Sequence, residues 1–220
     1  MAAKKTTGPL RGSKLVKKAL EVGKDRFSDP EPMPSGLAKK MKLPNGESLS
    51  AGMKELFLAD TGFLGIEYDE EEAEIESVSL EDVVEEAFGE GAVAAFGEAY
   101  ELLGEDVVAF AGELSRPACL YVGEVDEAGE YPVLQLSFDD GKARIGGFIP
   151  FDIWLAQELG ALEKAKDIGD VPAEYAALPK ALSEANFDGR LVFEPTASGD
   201  KDEEDDEDEE DDEEKDSEDE

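Results

Sequence analysis

Apolar residues recur along the chain at two different intervals. Leu49, Met53, Leu56 and Phe57 fall at helical spacing, and Asp60-Thr61-Gly62 closes that run. Ser79 followed by Asp82 has the form of a helix cap, and Val83, Val84, Ala87 and Phe88 continue one helical stripe until Gly89 and Gly91 break it. Val93, Phe96, Tyr100 and Leu103 make a further, less regular stripe. Near residue 106 the character changes to short β-like runs. Val107–Phe110, Cys119–Val125, Pro132–Phe138 and Arg144–Ile149 read as strands, with Leu134, Leu136 and Phe138 on one face. Asp126-Glu127-Ala128-Gly129 is a turn, and Asp139-Asp140-Gly141-Lys142 predicts a tight hairpin, because Asp-Gly suits positive φ.

A helix is then expected from Pro150 or from an Asp152 cap, its inner stripe being Phe151, Trp154, Leu155, Leu159 and Leu162. A last helix is expected from about Pro172, interrupted by Pro179 and leading to Leu191-Val192-Phe193. Helices, then an antiparallel meander, then helices packed back define an α+β class, not alternating βαβ units.

Charge divides the 220 residues into three parts. Residues 1–42 hold 11 Lys and Arg against 4 Asp and Glu, residues 43–199 hold 8 against 35, and residues 200–220 hold 2 against 18. The net charge of −36 therefore hides a basic start. That start, with Pro30, Pro32, Pro34 and Gly36, reads as a flexible basic arm. Within it Leu15, Val16, Ala19 and Leu20, flanked by Lys14, Lys17 and Lys18, form a short amphipathic patch. Two destinations are open to the patch: an anionic surface, or the acidic body of its own chain. Residues 43–199 are expected to form one acidic domain. Residues 200–220 contain no apolar residue and are expected to be disordered, as an acidic interaction tail or a solubilising one.

Composition excludes several chemistries. The chain has no histidine, so it has no Ser-His-Asp triad, no Cys-His pair and no His-ligated zinc. Its single cysteine, Cys119, forbids an internal disulfide; set in an apolar strand, it reads as a core thiol and fits a reducing, cytoplasmic setting. No run of about 18 apolar residues occurs, so no membrane span is expected, and the basic start lacks the apolar stretch of a secretory signal. Gly89-Glu90-Gly91-Ala92-Val93-Ala94 meets a loose dinucleotide pattern, but a Glu-rich helix precedes it rather than a strand. No EF-hand spacing is present, and neither a cofactor nor a metal is expected. A carboxylate-based hydrolase would need a cleft that spacing alone does not define.

The densest acidic run is Glu67, Asp69, Glu70, Glu71, Glu72, Glu74 and Glu76, with Tyr68 inside it; Glu81, Asp82, Glu85 and Glu86 follow on the capped helix. These are the expected partner-binding residues. Tyr68, Tyr100 and Tyr131 are candidate aromatic anchors, if exposed. Carboxylates at this density repel nucleic-acid phosphates and anionic lipid, and they steer basic proteins into contact. The bland reading is a solvated acidic loop.

The domain resembles the SUKH superfamily, which includes the yeast cell-wall-assembly regulator and many bacterial immunity proteins. The residues that carry the resemblance are Leu43-Pro44, the helix through Leu56-Phe57-Leu58 and Thr61-Gly62. Further along they are Tyr121-Val122-Gly123 through Pro132-Val133-Leu134, the Asp139-Asp140-Gly141 turn and Phe151-Asp152-Ile153-Trp154-Leu155. Together these cover about residues 43–160. The chain departs from the pattern in a helical insertion around 79–104 and in its charged ends. The resemblance implies an antiparallel sheet with helices around it, and a non-catalytic role, commonly the neutralisation of a cognate toxin in the bacterial cytoplasm. The expectation is a non-enzymatic protein that binds a basic toxin. The alternative is an acidic chaperone or nucleic-acid mimic that takes up basic proteins through its tail.

Overall fold

The Asp139–Lys142 turn sets the register of the long hairpin at the centre of the sheet. In the computed structural model, Asp139 pairs with Lys142, while Asp140 (φ 51°) and Gly141 (φ 74°) take the left-handed conformations that a two-residue turn requires. The structure describes residues 9–76, 79–103, 107–112, 114–168, 170–175 and 190–193.

In chain order the helices are α1 (Ser13–Val22), α2 (Ser35–Ala38), α3 (Ala51–Ala59), α4 (Leu80–Phe88), α5 (Glu90–Ala95), α6 (Gly97–Leu103) and α7 (Phe151–Glu158). The strands are β1 (Tyr68–Asp69), β2 (Glu74–Ile75), β3 (Val107–Phe110), β4 (Ala118–Tyr121), β5 (Pro132–Asp139), β6 (Lys142–Pro150) and β7 (Arg190–Phe193). Strands β3 to β7 pair antiparallel in sequential order, and β1–β2 form a separate hairpin. The fold is α+β. Among the described residues no helix is long and apolar enough to cross a membrane.

The strands read as near-continuous apolar runs because both faces of the sheet are covered. Val108, Phe110, Leu120, Val133 and Ile149 face a core shared with α1, α3 and α7, in which Trp154 lies 5.3 Å from Phe110 and 5.9 Å from Phe151, ring centre to ring centre. Val107, Ala109, Cys119, Leu134, Leu136, Ala143 and Ile145 face a second core built with α4, α5 and α6. Alternation along β3 and β4 thus assigns neighbouring residues to opposite cores. Burial pushes the Cys119 thiol up to about 12, so it is an inert core group.

The sequence expectations need several corrections. Residues 9–42 are not an arm. Leu15, Val16 and Ala19 of α1 are all but fully buried against α3 and α7, and Met33 and Met41 are buried beyond them. Each fully buried Leu or Val contributes about 1.5–3 kcal/mol, enough to hold a ten-residue helix that is marginal alone. Lys14, Lys17 and Lys18 face solvent, and Lys17 Nζ lies 3.2 Å from Glu55 on α3. The amphipathic patch is therefore spent on the chain's own body, and the domain begins well before residue 43. The second strand stops at Tyr121, and Val125 is exposed. Gly89 (φ 83°) does end α4, but Gly91 lies inside α5. Between Pro172 and β7 a single 3-10 turn, Ala173–Tyr175, is described; residues 176–189 and the acidic tail lie outside the described residues.

Candidate protein-binding surface

The acidic run 67–76 folds into a short hairpin. Tyr68 pairs with Ile75 and Asp69 with Glu74, and the Glu76 amide donates to the Glu67 carbonyl at 2.9 Å. At the tip, the Asp69 carboxylate accepts from the Glu71 and Glu72 amides at 2.7 and 2.8 Å, and Ala73 takes φ 55° to close the turn. The hairpin is tied to the body through Lys42. Its amide donates to the Ala73 carbonyl at 2.8 Å, and its carbonyl accepts from the Ile75 amide at 2.9 Å. Ile75 is buried in the first core, and Tyr68 packs against it half-buried. Glu67, Glu70, Glu71, Glu72 and Glu76 are left pointing to water, while Asp69 and Glu74 are half-buried.

The second acidic set stands on α4. Ser79 Oγ accepts from the Asp82 amide at 3.1 Å and starts the helix, and the two acidic residues in the first turn complement its dipole. Leu80, Val83 and Val84 point into the second core, leaving Glu81, Asp82, Glu85 and Glu86 exposed. Hairpin and helix are thus anchored in different cores. The fold gathers the first set on one hydrogen-bonded element and the second on another. Of the proposed aromatic anchors, Tyr131 is 5% exposed and donates to the Ser48 carbonyl at 3.1 Å, so it belongs to the core. Tyr68 and Tyr100 are half-buried; burial, with the Glu81 charge adding to it, pushes the Tyr100 phenol up to about 12.

A buried charged cluster has no counterpart in the sequence reading. Arg11 Nε donates to Asp152 at 2.9 Å, and its Nη2 donates to Asp152 at 3.2 Å and to Asp126. The Gly12 amide also donates to Asp152. Burial opposes the Arg11 charge, but its bonds to Asp152 and Asp126 more than offset this and hold its pKa above the ordinary arginine value. Glu130, fully buried, accepts from Ser50 Oγ at 2.6 Å and from the Gly52 amide at 2.8 Å. Burial pushes Glu130 up to about 7; the Ser50 bond opposes this, Asp152 adds to it, the Gly52 bond opposes it and Asp126 adds to it. Asp126 also accepts from the Ala128 and Glu130 amides at 2.9 Å, shaping its own turn. Asp152 is therefore no ordinary helix cap. It reaches from α7 to the segment before α1, while Pro150 occupies the cap position.

Open clefts lie elsewhere. One, of about 480 Å³, is lined by Arg26, Phe27, Asp29, Glu31, Asp60 and Phe63. Arg26 there donates to the Glu158 carbonyl at 2.7 Å, and Asp60 accepts from the Glu31 and Gly62 amides. Another, of about 470 Å³, is lined by Asn45, Glu47, Tyr121, Glu124, Val125 and Tyr131. Among the described residues no His, Cys, Asp and Glu side chains converge as a metal site.

No family model matches the chain, and a search of curated proteins finds no match. Among solved structures the chain is similar to an uncharacterized protein from Salmonella enterica subsp. enterica serovar typhimurium str. 14028s. The two are 18% identical over 76% of this chain and 84% of that one, with a TM-score of 0.47. A likeness of that degree carries nothing about function.

Proposed function

We propose that this chain is a non-enzymatic protein-binding domain of the SUKH kind, an immunity-type protein that neutralises a basic cognate toxin in the cytoplasm by electrostatically steered binding. The acidic hairpin carries the reading. Five exposed glutamates are held on a backbone fixed by strand pairing, by the Asp69 side chain and by Lys42, so a cationic surface meets charges already in position. Preorganised charge of this kind raises association rates and loses its advantage as salt screens it. The α4 carboxylates extend the negative field on a second element.

Co-expression with the basic proteins encoded beside its gene, followed by pull-down, tests the reading. The expected result is a tight, saturable complex and rescue of growth from a toxic neighbour. Removing residues 200–220 separates the rival. Binding that disappears with the tail would assign the chain to broad acidic chaperones. Recovery of no basic partner, with no rescue, would end the immunity reading.

A further inference from the structure

Two buried carboxylates, Asp126 and Asp152, share the Arg11 guanidinium, and a third, Glu130, lies beside them bonded to Ser50 and Gly52 instead. Arg11 bonds Asp152 through two nitrogens and Asp126 through one. Among the described residues Glu130 receives only neutral donors, Ser50 Oγ and the Gly52 amide. It is wedged between two glycines: a methyl on Gly12 would stand 3.6 Å from Glu130 Oε1, and one on Gly52 would stand 2.7 Å from Oε2. With every group ionised the cluster carries two negative charges beyond what Arg11 balances, away from water. The other described groups near it leave this balance unchanged. Tyr175 donates its hydroxyl to the Leu10 carbonyl at 3.0 Å, and the Lys17–Glu55 pair lies toward solvent on the outside of α1 and α3.

We propose that Glu130 is a proton-operated latch for the N-terminal segment: the folded chain holds a proton on this carboxyl group, and losing it loosens the seat of Arg11, Gly12 and α1. The 2.6 Å separation of Glu130 and Ser50 suits a hydrogen bond in either direction. A neutral Glu130 donates to Ser50 Oγ, which also accepts from the Met53 amide at 3.1 Å and so keeps its capping role. An ionised Glu130 must instead receive the serine proton and stand unpaired beside Asp152 and Asp126. Because Arg11–Gly12 closes one side of this pocket, outward movement of that segment admits water and relieves the charge. The acid-side form is the tighter one. The stabilisation is complete below the ordinary glutamate range and is lost as pH rises through about 7.

The test uses the full chain and Glu130→Gln, which fixes the neutral state, from pH 5 to pH 8.5. Carbon-detected NMR follows the Glu130 carboxyl, and hydrogen exchange follows the amides of Leu15 to Ala19. The exchange rate of the wild type divided by that of E130Q is expected to be smallest at pH 5 and to rise at least about three- to tenfold by pH 8.5. The carboxyl signal is expected to titrate near neutrality. A ratio that stays flat, or a carboxyl signal already ionised at pH 5, overturns the proposal. If E130Q does not fold, the wild-type carboxyl titration decides alone.

Discussion

The Gly52 amide donates to one oxygen of Glu130 at 2.8 Å, and a methyl group on Gly52 would stand 2.7 Å from the other oxygen and 3.1 Å from Val16. The first turn of α3 is therefore built around the absence of a side chain.

Gly52→Ala is expected to destabilise the fold by about 1–3 kcal/mol, because it forces a buried carboxyl group or α1 to move. Gly91 sits in α5, and a methyl group there would meet nothing within 4 Å, so Gly91→Ala is expected to stabilise by about 0.4–1 kcal/mol through the unfolded state. Urea midpoints of the two variants check the pair. Equal shifts of one sign would refute the packing account.

Arg11→Met strips the only cation that bonds the buried Asp152 carboxylate among the described residues, and is expected to cost about 3–5 kcal/mol. Adding Asp152→Asn removes the stranded charge, so the double variant should lose less than the two single losses combined. A denaturant double-mutant cycle measures this. Strict additivity would mean that the pair has no coupling.

Neutralising the hairpin tip with E70Q, E71Q and E72Q touches exposed side chains and is expected to shift stability by no more than about 0.5 kcal/mol. Association with the basic partner recovered in co-expression should slow, and its dependence on ionic strength should weaken. Stopped-flow rates across a salt series check this, and an unchanged salt slope would move the docking face elsewhere.

Cys119 is fully buried, and its thiol is pushed up to about 12 by desolvation, so native protein at pH 8 is expected to resist thiol reagents. Labelling should proceed at the rate of unfolding and accelerate in urea. Fast native labelling, followed by mass spectrometry, would contradict the burial of β4.

Local features proved legible from spacing because their causes lie within a few residues. The Ser79 cap bonds an amide three positions on, and the Asp140-Gly141 turn needs only two positive φ angles. The strands follow from short apolar runs bounded by turn signals; 107–110 stands unchanged, and the structure extends 132–138 and 144–149 slightly at their ends. Of the candidate surface, the acidic residues were legible by composition. That residues 67–76 pair as a hairpin depends on Lys42 and buried Ile75, which charge counting does not weigh.

By itself the sequence determined the helices near residues 51–59, 80–88 and 151–158, the meander and the sign of the surface, since periodicity, turn chemistry and charge act over short stretches. Only the tertiary structure decided that α1 belongs to the core, that Asp126 and Asp152 close on Arg11 and that Glu130 is buried beside them. Those contacts join residues far apart in the chain, 80 positions for Ser50 with Glu130 and 141 for Arg11 with Asp152. An apolar stripe announces that a face will be buried but not what will bury it, and an isolated carboxylate carries no mark of the interior until the chain closes around it.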